Sequence, residues 1–148
     1  MNMKQQIWHY LLTTLSQSRK ELGGHAVCPF VKGYKDKILV LESQNPENIV
    51  SNFANFHESF GMEAIVVYGF DIDFNTLDKL TESWNKKYHK KDVECLFMDP
   101  DAVDPPLPVE YIWRECPLII IQRRSTLEKH RRQLKEKSDY YTYFNGDD

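Results

Sequence analysis

Two groups of residues have the types and spacing that chemistry requires, and a third has the charge that binding requires. Cys28 stands three residues after His25 and directly before Pro29. A histidine beside a thiol lowers the thiol's pKa and produces a nucleophilic or redox-active thiolate. The competing reading is an inert packing cysteine, because free cysteine is among the most buried residue types. The second group is Asp99-Pro100-Asp101 with Asp104 close by, at the C-terminal end of a predicted strand. Open α/β sheets bind ligands at that edge, and paired carboxylates there would serve as an acid/base pair or a magnesium site. Ordinary Asp/Pro turn chemistry is the preferred reading. The third group is basic: Arg123-Arg124, then Lys129-His130-Arg131-Arg132, Lys135 and Lys137. Such a run can face phosphates, yet Glu128 and Glu136 dilute it and no recognition motif accompanies it. Asp99, Asp101, Arg123, Arg124, Arg131 and Arg132 are the candidate binding residues, and arginine beside Tyr140, Tyr141, Tyr143 and Phe144 is typical of an interface anchor.

Metal binding needs several convergent ligands. The five histidines are scattered, and none pairs with another at helical ligand spacing. His57 reads as a capping or surface residue. Neither a metal nor a cofactor is expected. The odd cysteines Cys28, Cys95 and Cys116 fit no zinc spacing and suit a reducing interior.

These residues sit in a chain of 148 residues, 41% hydrophobic, 28% charged and 13% aromatic, with a formal net charge of −3. That length suits one domain over residues 1–148 with a core of its own. No global field recruits nucleic acid or anionic membrane. The opening residues lack the apolar core of a signal peptide and no apolar run reaches membrane-spanning length, so a cytoplasmic, membrane-free protein is expected.

The elements that must position the candidates follow from periodicity and caps. Ile7, Tyr10, Leu11 and Leu15 recur at helical spacing, and Gly23-Gly24 ends that helix. Ile38-Leu39-Val40-Leu41 is the first strand. Asn45-Pro46 starts a helix whose stripe is Ile49, Phe53, Phe56 and Phe60, closed by Gly61. Ala64 to Tyr68 is the second strand. A helix from Asp73 or Asn75 buries Leu77, Leu80, Trp84 and Tyr88, and Val93 to Met98 is the third strand. Residues 99–112 form an Asp/Pro-rich extended loop. The apolar run from Cys116 to Gln122 reads as a central strand covered on both faces, because nothing polar alternates through it. Ser125 and Glu128 match a capping box for the last helix, and 145–148 read as a frayed tail. The expected fold is therefore a single α/β domain with a mixed sheet of about four strands flanked by helices. Its order, α-β-α-β-α-β-β-α, is thioredoxin-like without a redox motif.

Three segments resemble an uncharacterised bacterial domain family. Val27-Cys28-Pro29-Phe30 is similar to that family's Leu-Cys-Pro-Phe, and Met98-Asp99-Pro100-Asp101 to its Phe-His-Pro-Asp. The run from Glu115 to Arg123 is similar to its Ser-Pro-x-Pro-x-Leu-His-Leu-Leu-Arg. The resemblance covers roughly residues 25–130, and Asp99 and Ile120 stand where the family has histidines. It implies a shared α/β fold and a site of Cys28, Asp101 and Arg123, and it implies no activity. The Lys-, Asn- and Tyr-rich style resembles small accessory proteins of tailed phages, which would place the protein in bacterial or infected-host cytoplasm.

The function expected from the sequence is a non-enzymatic interaction or regulatory module. It would bind a protein partner through its basic C-terminal helix. The alternatives are a small thiol enzyme, with Cys28 as nucleophile and His25 as base, and a nucleic-acid binder. Oligomeric state has no signature in the sequence.

Overall fold

A computed structural model describes residues 1–15, 31–98 and 113–139. His25, Cys28, Asp99, Asp101 and the tail at 145–148 lie outside the described residues. A four-stranded mixed sheet organises the rest, in the order β1-β2-β4-β3. Its strands are β1 (Ile38–Glu42), β2 (Ala64–Tyr68), β3 (Val93–Phe97) and β4 (Ile119–Arg123). β1 and β2 are parallel, whereas β4 runs antiparallel to both of its neighbours, β2 and β3. The expected element order holds. The isoleucine-rich run takes the interior position because β-branched side chains suit a pleated surface packed on both faces.

Each strand carries one residue set to each face, and the two sets feed two cores. On one face lie α3 (Pro46–Phe60) and α4 (Phe74–Lys87). There Val50, Phe53, Leu77 and Trp84 pack against Ile65, Val67, Val93, Cys95, Ile119 and Ile121. On the other face, α1 (Met3–His9) and the wide π-helical turns of Tyr10–Leu15 bring Ile7, Tyr10, Leu11 and Leu15 onto Val40, Val66, Tyr68 and Leu118. Ile119 and Ile121 have no exposed surface, and burying each contributes about 1.5–3 kcal/mol. A single turn, α2 (Val31–Tyr34), precedes β1. α5 (Arg124–Lys137) follows β4 without a break. Arg131 on α5 meets Glu94, whose side chain projects to the α1 face of β3, so α5 shares that side of the sheet.

Local signals set most boundaries as expected. The Asn45 side chain accepts from Asn48 N, Pro46 opens α3, and Gly61 closes it at φ 65°. Asp73 caps α4 through Thr76 N.

One stripe is corrected. Phe56 and Phe60 are 48% and 71% exposed, while Pro46, Val50, Phe53, Ala54 and His57 form the buried side of α3. Phe53 belongs to both stripes, so the helix has turned about that residue. His57, expected at the surface, is therefore buried. Its ring stacks on Phe53 with centroids 5.0 Å apart. Its Nε2 lies 2.9 Å from the Lys91 carbonyl, which can only accept, so Nε2 carries the proton. That bond offsets the cost of burying the imidazole.

Candidate functional site

The four arginines proposed from the sequence separate into an anchoring set and a free one. Arg123 closes β4 and opens α5. Its N–H donates to the Glu63 carbonyl at 3.1 Å, and its Nη1 donates to Glu63 Oε1 at 3.3 Å. Its Nε lies 3.8 Å from Asp92 Oδ2. Arg124 Nη1 donates to His89 Nδ1 at 2.9 Å, and its Nε is 3.8 Å from Glu128. A guanidinium cannot accept, so His89 receives this bond on an unprotonated nitrogen. Arg131 Nη1 lies 3.5 Å from Glu94 Oε2. Arg123 and Arg131 tie α5 to the sheet and its turns, and Arg124 ties the first turn of α5 to the turn before β3. Arg132 is exposed and forms no ion pair among the described residues.

The N-terminus of α5 is capped by a residue remote in sequence, and the Ser125–Glu128 capping box does not form. Asp92, just before β3, has φ 61° and ψ 44°, a conformation that aspartate tolerates better than most side chains. There its Oδ1 accepts from Ser125 N at 2.8 Å and its Oδ2 from Ser125 Oγ at 2.6 Å. Its carbonyl accepts from Arg124 N at 3.1 Å. A carboxylate on the first turn also opposes the positive end of the helix dipole. Glu128, the other half of the expected box, is drawn to Arg124 instead. Further along, His130 Nε2 sits 2.6 Å from the Tyr34 hydroxyl. Leu127 buries the middle of the inner face.

The outer face of α5 carries Lys129, Arg132 and Lys135, all exposed and none in an ion pair among the described residues. Positions three apart share one side of a helix. The result is a row of three cations, with exposed Glu136 one turn after Arg132, on a helix whose inner side is fixed by ion pairs, hydrogen bonds and Leu127.

The opposite edge of the sheet, where β1 and β2 end, holds a different cluster. Glu42 and Tyr68 are cross-strand neighbours. Burial raises the Tyr68 pKa above its ordinary value, and the charge of Glu42 and the Cys116 thiol raise it further. Gly69 permits this arrangement: at φ 88°, a Cβ there would stand 2.7 Å from Glu42 Cγ. Trp113 Nε1 donates to the Cys116 carbonyl at 2.9 Å. Burial pushes the Cys116 thiol up, partly opposed by the nearby indole N–H of Trp113, and the charge of Glu115 adds to the rise. Cys95 is pushed up to about 12 by burial first and by Glu94 second. Both are free cysteines held in the thiol form at neutral pH, which suits packing rather than nucleophilic attack.

Among the described residues, no three His, Cys, Asp or Glu side chains converge as a metal-binding set, and no helix is long and apolar enough to cross a membrane. Sequence reasoning missed Asp92, Glu63 and His89, because their partners lie far along the chain. The one local signal was an aspartate directly before a strand, a position that accommodates the left-handed conformation. Compared with known proteins, the chain matches no protein family, no curated protein and no solved structure.

Proposed function

We propose that the protein is a cytosolic interaction module that holds an acidic protein partner on the outer face of α5. The observation that carries this reading is the division of labour along that helix. Arg123, Arg124 and Arg131 are occupied by Glu63, Asp92, His89, Glu128 and Glu94, while Lys129, Arg132 and Lys135 stand exposed and form no ion pair among the described residues. A backbone already held as a helix need not be ordered when these cations bind. A protein partner is favoured over nucleic acid because the row is short and the chain carries a formal net charge of −3. The free thiols of Cys95 and Cys116 fit a reducing compartment.

The test is affinity capture from the source cell after nuclease treatment, with wild type against a Lys129→Glu, Arg132→Glu, Lys135→Glu variant. The expected result is a protein retained by wild type, lost with the variant, and released by moderate salt, with thermal stability unchanged. Equal capture by both proteins overturns the reading. Binding that disappears on nuclease treatment assigns the face to nucleic acid.

A further inference from the structure

The two outer strands of the sheet are treated differently, and the difference points to a second binding surface. β3 is an outer strand, but the Asn85 side chain from α4 occupies its free edge. Cys95 N donates to Asn85 Oδ1 at 2.6 Å, and Asn85 Nδ2 donates to the Cys95 carbonyl at 3.0 Å. The amide thus substitutes for a neighbouring strand.

β1, the other outer strand, has no such guard among the described residues. The Lys37 carbonyl accepts from Glu63 N at 2.9 Å and Ser43 N donates to the Tyr68 carbonyl at 2.8 Å, so odd-numbered residues of β1 face β2. By alternation, the N–H and C=O groups of Ile38, Val40 and Glu42 face outward, and none of them has a partner among the described residues. The strand contains no proline, lysine or bulge of the kind that blocks edge pairing.

Beside this edge stand exposed apolar side chains. α3 packs over β4, β2 and β3, and Leu39 on the same face of β1 is left 42% exposed. A right-handed β1-α3-β2 crossover turns the flank of α3 with Phe56 and Phe60 toward the β1 edge. The Ala54 flank turns toward α4. The Phe56 and Phe60 rings lie 6.1 Å apart.

We propose that β1 is a dimerisation edge, where a second copy of this chain adds its own β1 antiparallel about a twofold axis through Val40. The register is what selects a second copy. With Val40 opposite its symmetry mate, Ile38 lies opposite Glu42 of the other copy, and every outward N–H and C=O of both strands is paired. The same register sets Leu39 opposite Leu41 of the other copy on the α3 face, with Phe56 and Phe60 of both copies closing over these pairs. Lys37 falls opposite Ser43, so no like charges stand directly opposite. Covering Leu39, Phe56 and Phe60 removes about 300 Å² of apolar surface per copy, roughly 600 Å² in the dimer before backbone and polar neighbours are added. Standard interfaces bury about 1,200–2,000 Å², so the expected dimer is reversible and of micromolar affinity. This proposal is independent of the reading of α5.

Sedimentation equilibrium of the full chain from about 1 to 300 μM tests it. Wild type is expected to show a reversible monomer–dimer equilibrium. Leu39→Lys and Phe60→Glu are each expected to raise the dissociation constant at least tenfold, with an unchanged far-UV spectrum. Phe60 is so exposed that its variant folds even where Leu39→Lys does not. Register is read separately: in a Leu39→Cys, Leu41→Cys variant, oxidation should link position 39 of one copy to position 41 of the other, identified by mass spectrometry. A wild type that stays monomeric throughout overturns the proposal, including one whose edge accepts a foreign peptide instead. So does a dimer indifferent to both substitutions, or one crosslinked 39 to 39.

Discussion

The edges of the sheet at β3 and β1 solve the same problem in opposite ways. An outer strand exposes backbone donors and acceptors that invite another strand. At β3 two helices answer it. α4 supplies Asn85 to the Cys95 backbone, and α5 is held alongside by Asp92 and by the Arg131–Glu94 pair. At β1 the outward groups of Ile38, Val40 and Glu42 have no partner among the described residues, and α3 exposes Phe56 and Phe60. Among the described residues, edge protection comes from side chains on neighbouring helices, and only at β3. The guarded edge lies beside the helix proposed for partner binding, so a strand arriving there would compete with α5.

Breaking the guard should have the largest effect. Asn85→Leu leaves the Cys95 N–H and C=O without partners, at about 1–3 kcal/mol for each unsatisfied group. A loss of roughly 3 kcal/mol in chemical denaturation is expected, together with concentration-dependent light scattering from the opened edge. A stable, non-aggregating variant would mean that β3 needs no guard. Next in size is Asp92→Ala, which removes the cap on α5 and places alanine at positive φ. A loss of about 2 kcal/mol is expected. Hydrogen exchange should accelerate first in residues 124–130 rather than in β1.

The two sides can also be separated by pH. Cys95 is raised from an ordinary 9.0 to about 12, so the native state holds the thiol proton more tightly than the unfolded chain does. The sign follows from linkage: stability from this group is complete below pH 9 and is lost as pH rises toward 12. Cys95→Ala should flatten the alkaline fall in stability, and equal slopes in both proteins would remove this account. The smallest expected effect is Arg132→Glu, which should alter stability by less than about 0.5 kcal/mol. A larger loss would show that the outer face of α5 also anchors the helix.

How much of this was legible in sequence depends on how far apart the interacting residues are. The caps of α3 and α4 are satisfied within three residues, so Asn45 and Asp73 announce them. The interior position of β4 follows from an apolar run without alternation. The inner side of α3 was not legible. Ile49-Phe53-Phe56-Phe60 and Val50-Phe53-Ala54-His57 both fit a helical period, and hydropathy favours the first. The packed sheet and α4 favour the second. For the candidate site, the basic character of α5 was plain, but which arginines are free and which are anchors was not, since Glu63, Asp92 and Glu94 lie on other strands or turns.

Taken alone, the sequence determined the elements, their order and the sign of the charge on the last helix, because these rest on periodicity, caps and composition within a few residues. Tertiary structure alone decided the strand order, the burial of His57, the remote cap from Asp92 to Ser125, and which sheet edge Asn85 closes. Each of those depends on a donor meeting an acceptor, or a side chain meeting a cavity, that only the folded chain brings together.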